Sequence, residues 1–251
     1  MHGQKERTEE VEMKKRVTDH FTKEQKDFLF KKLSNDSALI LKSDAATIAM
    51  MLRDSGMGQL ARSILSSESE TNLWLFEKHI EEAKFFYNQT ELLLRMTFDL
   101  GATIGEILSL KWFDVSGGEF INFNDIEIWR VSTISESTQR VLTECYGYVL
   151  NLDSFGSLKQ KRIFPFEEKT ANRRLGYIAK RAGLTGDISW RTVRNTYFVD
   201  AIGQGIDLPE ISEQTGVSLS TIAQKFSKYA PEGSKAHKRG RKSGGNRIEK
   251  F

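Results

Sequence analysis

The sequence predicts a mostly α protein with one small antiparallel sheet, an α+β class. Three observations carry that expectation. There are only 3 prolines in 251 residues, so little interrupts helices. Apolar residues recur at helical spacing through most segments. Strict alternation is confined to "GGEFINFNDIEIWRVST", which turns at Asn124-Asp125 and reads as a β-hairpin.

Taken in order, "FTKEQKDFLFKKLS" has Thr22 before its first turn and apolar Phe21, Phe28, Leu29 and Leu33. "SDAATIAMMLRDSG" starts on the capping pair Ser43-Asp44 and stops at Gly56, and "GQLARSILSSES" is a further short helix. The polar run Ser66–Thr71 marks a boundary. It divides an N-terminal helical unit (1–68) from a larger domain (69–230), with a basic tail (231–251) beyond. "NLWLFEKHIEEAKFF" is helical, and "TELLLRMTFDLGA" is apolar nearly all round, as a buried helix is. After the hairpin, "QRVLTECYGYVLNL" returns to helix and "KRIFPF" is an extended piece. An amphipathic helix then ends at Gly183, and three shorter helices broken at glycines reach Tyr229.

Several function classes find no footing. No apolar run approaches the roughly 18–20 residues that span a bilayer, and the charged N-terminus lacks the apolar core of a signal peptide. Cys145 is the sole cysteine, so an internal disulfide and a thiolate metal cluster are not expected. His2, His20, His79 and His237 show no metal spacing, and no glycine loop joins a strand to a helix as a nucleotide site requires. No metal, no cofactor and an intracellular location, cytoplasmic or nucleoid-associated, are the expectations. The net charge is +3, yet the tail from Pro231 holds seven lysines and arginines against two acids. The body is therefore slightly acidic, and any nucleic-acid face on it must be a local patch.

Three motifs share an order. The first is Gly101, Thr103, Glu106, Ile107, Leu108, Leu110, Trp112 and Asp114. The second is "RTVRNTY", with Arg191, Arg194, Asn195, Thr196 and Tyr197. The third is "GIDLPEISEQTGVSLSTIAQKF", with Gly216, Val217 and Phe226. With the hairpin between the first two, this order resembles the catalytic domain of the tyrosine recombinases, the phage-integrase family, over about residues 70–230. The resemblance implies that fold and double-stranded DNA as partner. It also implies a reaction in which arginines clamp a phosphodiester while a tyrosine attacks it.

This chain departs from the family pattern at the residues that do the chemistry. Thr103 stands where the first arginine belongs, Arg191 and Val217 where histidines belong, and Phe226 where the tyrosine belongs. The hairpin has no lysine, and Arg130 and Arg140 are its cations. The expectation is a DNA-binding protein that keeps the scaffold, is not an enzyme, and serves a mobile element, a virus, a plasmid or gene control. Candidate DNA contacts are Arg191 and Arg194, the stripe Arg173, Arg174, Lys180 and Arg181, then Ser220, Gln224 and Lys225, and Lys238 and Arg239 in the tail. A homodimer through the C-terminal helices is also implied by the resemblance.

Two alternatives stay open. Tyr229, one helical turn after Phe226, is a candidate displaced nucleophile for an active integrase. "DLPEISEQTGVSLSTIAQKFSKY" also reads as a helix-turn-helix of a transcriptional regulator, in which Phe226 is simply a core residue.

Overall fold

The structure, a computed structural model, describes residues 16–54, 56–69, 73–124, 129–152 and 158–231. Its described elements follow the expected order. A short β1 (Arg16–Val17) precedes α1 (Lys23–Ile40), α2 (Ala45–Asp54), α3 (Gly58–Ser69), α4 (Leu73–Leu100) and α5 (Ile104–Ser109). The sheet strands are β2 (Val115–Ser116), β3 (Phe120–Asn124) and β4 (Trp129–Thr133). Then come α6 (Glu136–Leu152), α7 (Glu168–Arg181), β5 (Thr185–Gly186), α8 (Trp190–Gly203), α9 (Leu208–Thr215) and α10 (Leu219–Phe226). A single 3-10 turn, Ser227–Tyr229, follows.

The helix starts are written in the sequence. Thr22 accepts from the Gln25 amide while the Gln25 side chain accepts from the Thr22 amide, a complete capping box. At α2 the Asp44 carboxylate accepts from the Thr47 amide at 2.7 Å. The 28 residues of α4 run about 42 Å through the molecule, and α1, α3, α6, α7 and α8 pack around it. Leu92, Leu93, Leu94 and Met96 are all buried, as an apolar helix surrounded by others must be. The buried hydroxyls of Thr90 and Thr97 donate to carbonyls one turn back at 2.8 Å, which removes the penalty of enclosing them.

One continuous apolar cluster runs from Val17 in β1 to Val193 in α8. A second, built on Phe198, Ile202, Leu208, Ile211, Ile222 and Phe226, holds the three C-terminal helices together. Cys145 is buried in the first cluster, which pushes its thiol pKa up. Among the described residues no helix is long and apolar enough to cross a membrane, and no cluster of three potential metal ligands occurs.

The sheet is antiparallel as expected, but three-stranded, because Val115–Ser116 pairs with Ile121 and Phe120. In the hairpin Ile121 faces Ser132 and Phe123 faces Arg130, all four on the buried side. The Asn124-Asp125 turn itself lies outside the described residues from position 125. A parallel pair, Arg16↔Thr185 and Val17↔Gly186, was not expected, since two-residue strands carry no periodicity. Gly186 admits it, because a Cβ there would sit 2.0 Å from the Val17 carbonyl oxygen. "KRIFPF" contributes only an isolated bridge, Lys111↔Arg162.

Candidate nucleic-acid interface

The first and second motifs meet at Gly101. The chain leaves α4 there with φ +56, a conformation that disfavours side chains. The Tyr197 ring fills the space a side chain would need, 2.3 Å from where a Cβ would stand. The Gly101 carbonyl accepts from Arg194 Nε at 2.7 Å. The glycine thus lets α8 dock against the end of α4 and pins the second-motif arginine at one nitrogen.

Thr103 has a local role. It is the N-cap of α5: its hydroxyl accepts from the Glu106 amide, and Glu106 Oε2 accepts from the Thr103 amide at 2.6 Å. Threonine followed three residues later by glutamate is a capping signature legible in the sequence, where the comparison with an arginine had hidden it. Glu106 also faces Arg130 of β4, with Oε1 2.7 Å from Nη2. Arg130 is 8% exposed and lies over the Phe123 ring at 4.2 Å. Its Nε and Nη2 have no aligned hydrogen bond, so the pair is one of charge proximity. Burial alone would raise the Glu106 pKa, but hydrogen bonds from Thr103 and the Arg130 charge hold it below its ordinary value. Arg194 is close to both: burial and Arg130 lower its pKa, while Glu106 opposes them.

A cleft of about 440 Å³ opens beside Arg194. It gathers Arg191, Arg194, Val217 and Phe226, four positions the motifs singled out, together with Lys225. Arg194 is half-buried, and both of its terminal nitrogens are without a hydrogen bond among the described residues. Arg191 is exposed and loosely paired with Asp187 at 3.4 Å. Phe226 is a core residue, 7% exposed and stacked on Phe198 at 4.8 Å. That packing accounts for an apolar side chain there, as the helix-turn-helix reading anticipated. Gly216, left-handed at φ 68, makes the turn between α9 and α10, and Ser218 caps α10 through the Thr221 amide.

Asp19 completes the rim and was missed from the sequence, because nothing local marks an aspartate ahead of a helix cap as a site residue. It accepts from the Tyr229 hydroxyl at 2.7 Å and lies 2.7 Å from His20 Nδ1, while the His20 ring meets the Tyr229 ring edge-on at 5.0 Å. Burial would raise its pKa; the hydrogen bonds from Tyr229 and His20 overcome that and hold the carboxyl well below the usual range. Tyr229 is pushed the other way, first by burial and then by the Asp19 carboxylate.

The expected basic stripe is broken up by the fold. Arg173 and Lys180 are exposed, but Arg174 is buried and Arg181 is turned inward onto Asp36. Ser220 and Gln224 are exposed on α10 beside Lys225. Lys238 and Arg239 lie outside the described residues.

No family model matches the chain, and no curated protein does. Among solved structures it is similar to the XerH site-specific recombinase bound to difH substrate in a pre-cleavage complex. That match has 18% identity and a TM-score of 0.48, over 55% of this chain and 42% of that one, so this chain spans about two-fifths of that chain's length. It is also similar to XerA recombinase, with 14% identity and a TM-score of 0.46 over 90% of this chain and 93% of that one. Both are named as recombinases, and the expectation that this chain is not an enzyme does not stand.

Proposed function

We propose that the chain binds duplex DNA by seating a backbone phosphate in the cleft of Arg191, Arg194 and Lys225. One observation carries this reading: Arg194 is fixed by its Nε on the Gly101 carbonyl, and among the described residues neither terminal nitrogen has a hydrogen bond at the cleft. A guanidinium held that way is prearranged for a two-oxygen contact, so little side-chain entropy is lost when phosphate arrives. Arg191 and Lys225 add positive charge at the rim, and α10 presents Ser220 and Gln224 next to them.

Charge-assisted hydrogen bonds contribute about 1.5–3 kcal/mol each, so Arg194→Ala is expected to weaken duplex binding about ten- to a hundredfold in fluorescence anisotropy. Arg194→Lys should recover only part of that loss, because an ammonium lacks the planar fork that holds the Gly101 carbonyl by one edge and presents two parallel donors to phosphate. Full recovery by lysine would show that charge alone suffices and that the pinned geometry is irrelevant.

A second reading, strand cleavage through Tyr229, is favoured by the hydrogen bond that ties this hydroxyl to Asp19 on the cleft rim. In this reading Asp19 takes the phenolic proton as the oxygen attacks phosphorus, the phosphorus–oxygen bond to one deoxyribose breaks, and that sugar oxygen leaves as a hydroxyl protonated from solvent. With a nicked suicide duplex this reading predicts a covalent protein–DNA adduct that survives denaturing electrophoresis and vanishes in Tyr229→Phe. An adduct that persists in that variant, or none with the unaltered chain, excludes Tyr229 as the nucleophile.

A further inference from the structure

A second cleft, of about 500 Å³, lies where α3 begins, against the middle of α4 and the side of α7. Arg174 lines it, 5% exposed and with no acidic partner among the described residues. Its guanidinium is held between the rings of Phe86 and Phe166, at 4.1 and 4.0 Å. One nitrogen is engaged: Nη1 donates to Gln89 Oε1 at 3.3 Å and, more weakly, to Thr90 Oγ1 at 3.5 Å. Nε is sealed in without a partner, and Nη2, which is not sealed, has no hydrogen bond among the described residues.

An enclosed cation normally has a counter-charge, because desolvation without one costs several kcal/mol. Burial accordingly lowers the Arg174 pKa to about 9, with the neighbouring Arg173 adding to the effect. The other wall of the cleft supplies donors rather than an acid to pair with it. Gly58, Gln59 and Leu60 open the 12-residue α3, and among the described residues their amides have no hydrogen-bond partner, the ladder beginning at Ala61 N to Met57 O. Arg173 adds charge at the mouth, 3.3 Å from the Cβ position of Gly56. Glu82, the acid on this lining, is already paired with His79 at 3.3 Å.

We infer that this cleft is an oxyanion site for a phosphate group, held between Arg174 Nη2 and the first amides of α3. No residue lines both clefts, and Gln89, the last α4 residue on this one, lies 11 residues, roughly 17 Å of helix, before Leu100, so the two sites are separate. The phosphate belongs either to a free phosphorylated molecule or to a DNA backbone wrapping onto this side. The chemistry is the same in both cases.

Thermal unfolding of the full chain in inorganic phosphate, against chloride at matched ionic strength, reads the site directly. Saturating phosphate is expected to raise the midpoint by about 5 °C. In a background carrying Arg191→Ala and Arg194→Ala, which removes phosphate binding at the first cleft, Arg174→Gln should abolish that rise. So should Gln59→Glu, which sets a carboxylate over the cleft from an exposed position and so keeps the fold intact. A rise no larger than in chloride, or one retained in both variants, overturns the inference. A duplex-binding arm identifies the source: weaker binding by Arg174→Gln, with a salt slope shallower by about one, indicates the DNA backbone, whereas unchanged duplex binding alongside the lost phosphate effect indicates a free phosphate.

Discussion

Gly101→Ala is expected to lower the unfolding midpoint by about 10 °C, the loss of about 3–5 kcal/mol in a domain of this size. Two costs combine. A left-handed backbone with a Cβ costs about 1–2 kcal/mol, and the new methyl would lie 2.3 Å from Tyr197 Cδ1. The ring cannot swing aside freely, since the Tyr197 hydroxyl donates to Gln214 Oε1 at 2.6 Å and its edge packs on Phe198. Relaxing the overlap means moving α8 off the end of α4, which also separates Arg194 from the Gly101 carbonyl. Adding Tyr197→Ala should return part of the stability, the signature of two residues sharing one space. Ordinary additivity of the two losses would show that strain at Gly101 arises elsewhere.

Arg181→Ala is expected to cost about 3 kcal/mol in denaturant unfolding, with a lower midpoint and an unchanged slope. Asp36 is 0% exposed and accepts from Arg181 Nε at 3.0 Å and Nη2 at 2.6 Å, with Lys32 at 2.9 Å. Removing the fork leaves a sealed carboxylate with one flexible ammonium. Arg181→Lys keeps the charge but not the paired geometry and should lose less. Replacing both residues by leucine should come close to the unaltered stability, because the buried charge is then gone with its partner. A double variant as unstable as Arg181→Ala would mean that helix packing, not the ion pair, is what Arg181 supplies.

How much of this was legible in the sequence depends on whether the signal was local. Thr22 with Gln25, Asp44 with Thr47 and Gly183 mark helix ends through hydrogen bonds within four residues, and those ends could be read. The hairpin was readable from its alternation, although its third strand was not, because Val115–Ser116 is too short to alternate. The cleft was half-legible. Arg191, Arg194, Val217 and Phe226 came from motif order, yet Asp19 reaches the site through tertiary contacts with Asn195 and Tyr229, 176 and 210 positions away. Thr103 was read against an absent arginine, when Thr-x-x-Glu was itself the explanation. The stripe from Arg173 to Arg181 failed for a similar reason: composition shows four cations, but not which of them a fold turns inward.

The proposed role of Arg191 and Arg194 is to receive a DNA phosphate. The most direct measurement is duplex affinity by anisotropy across about 50–200 mM salt, for the unaltered chain and for Arg191→Ala combined with Arg194→Ala. Measurable binding is expected at low salt, about a hundredfold weaker in the double variant, with a plot of log affinity against log salt shallower by about two. Superimposable salt plots for the two proteins, or no duplex binding by the unaltered chain at the lowest salt, would contradict it.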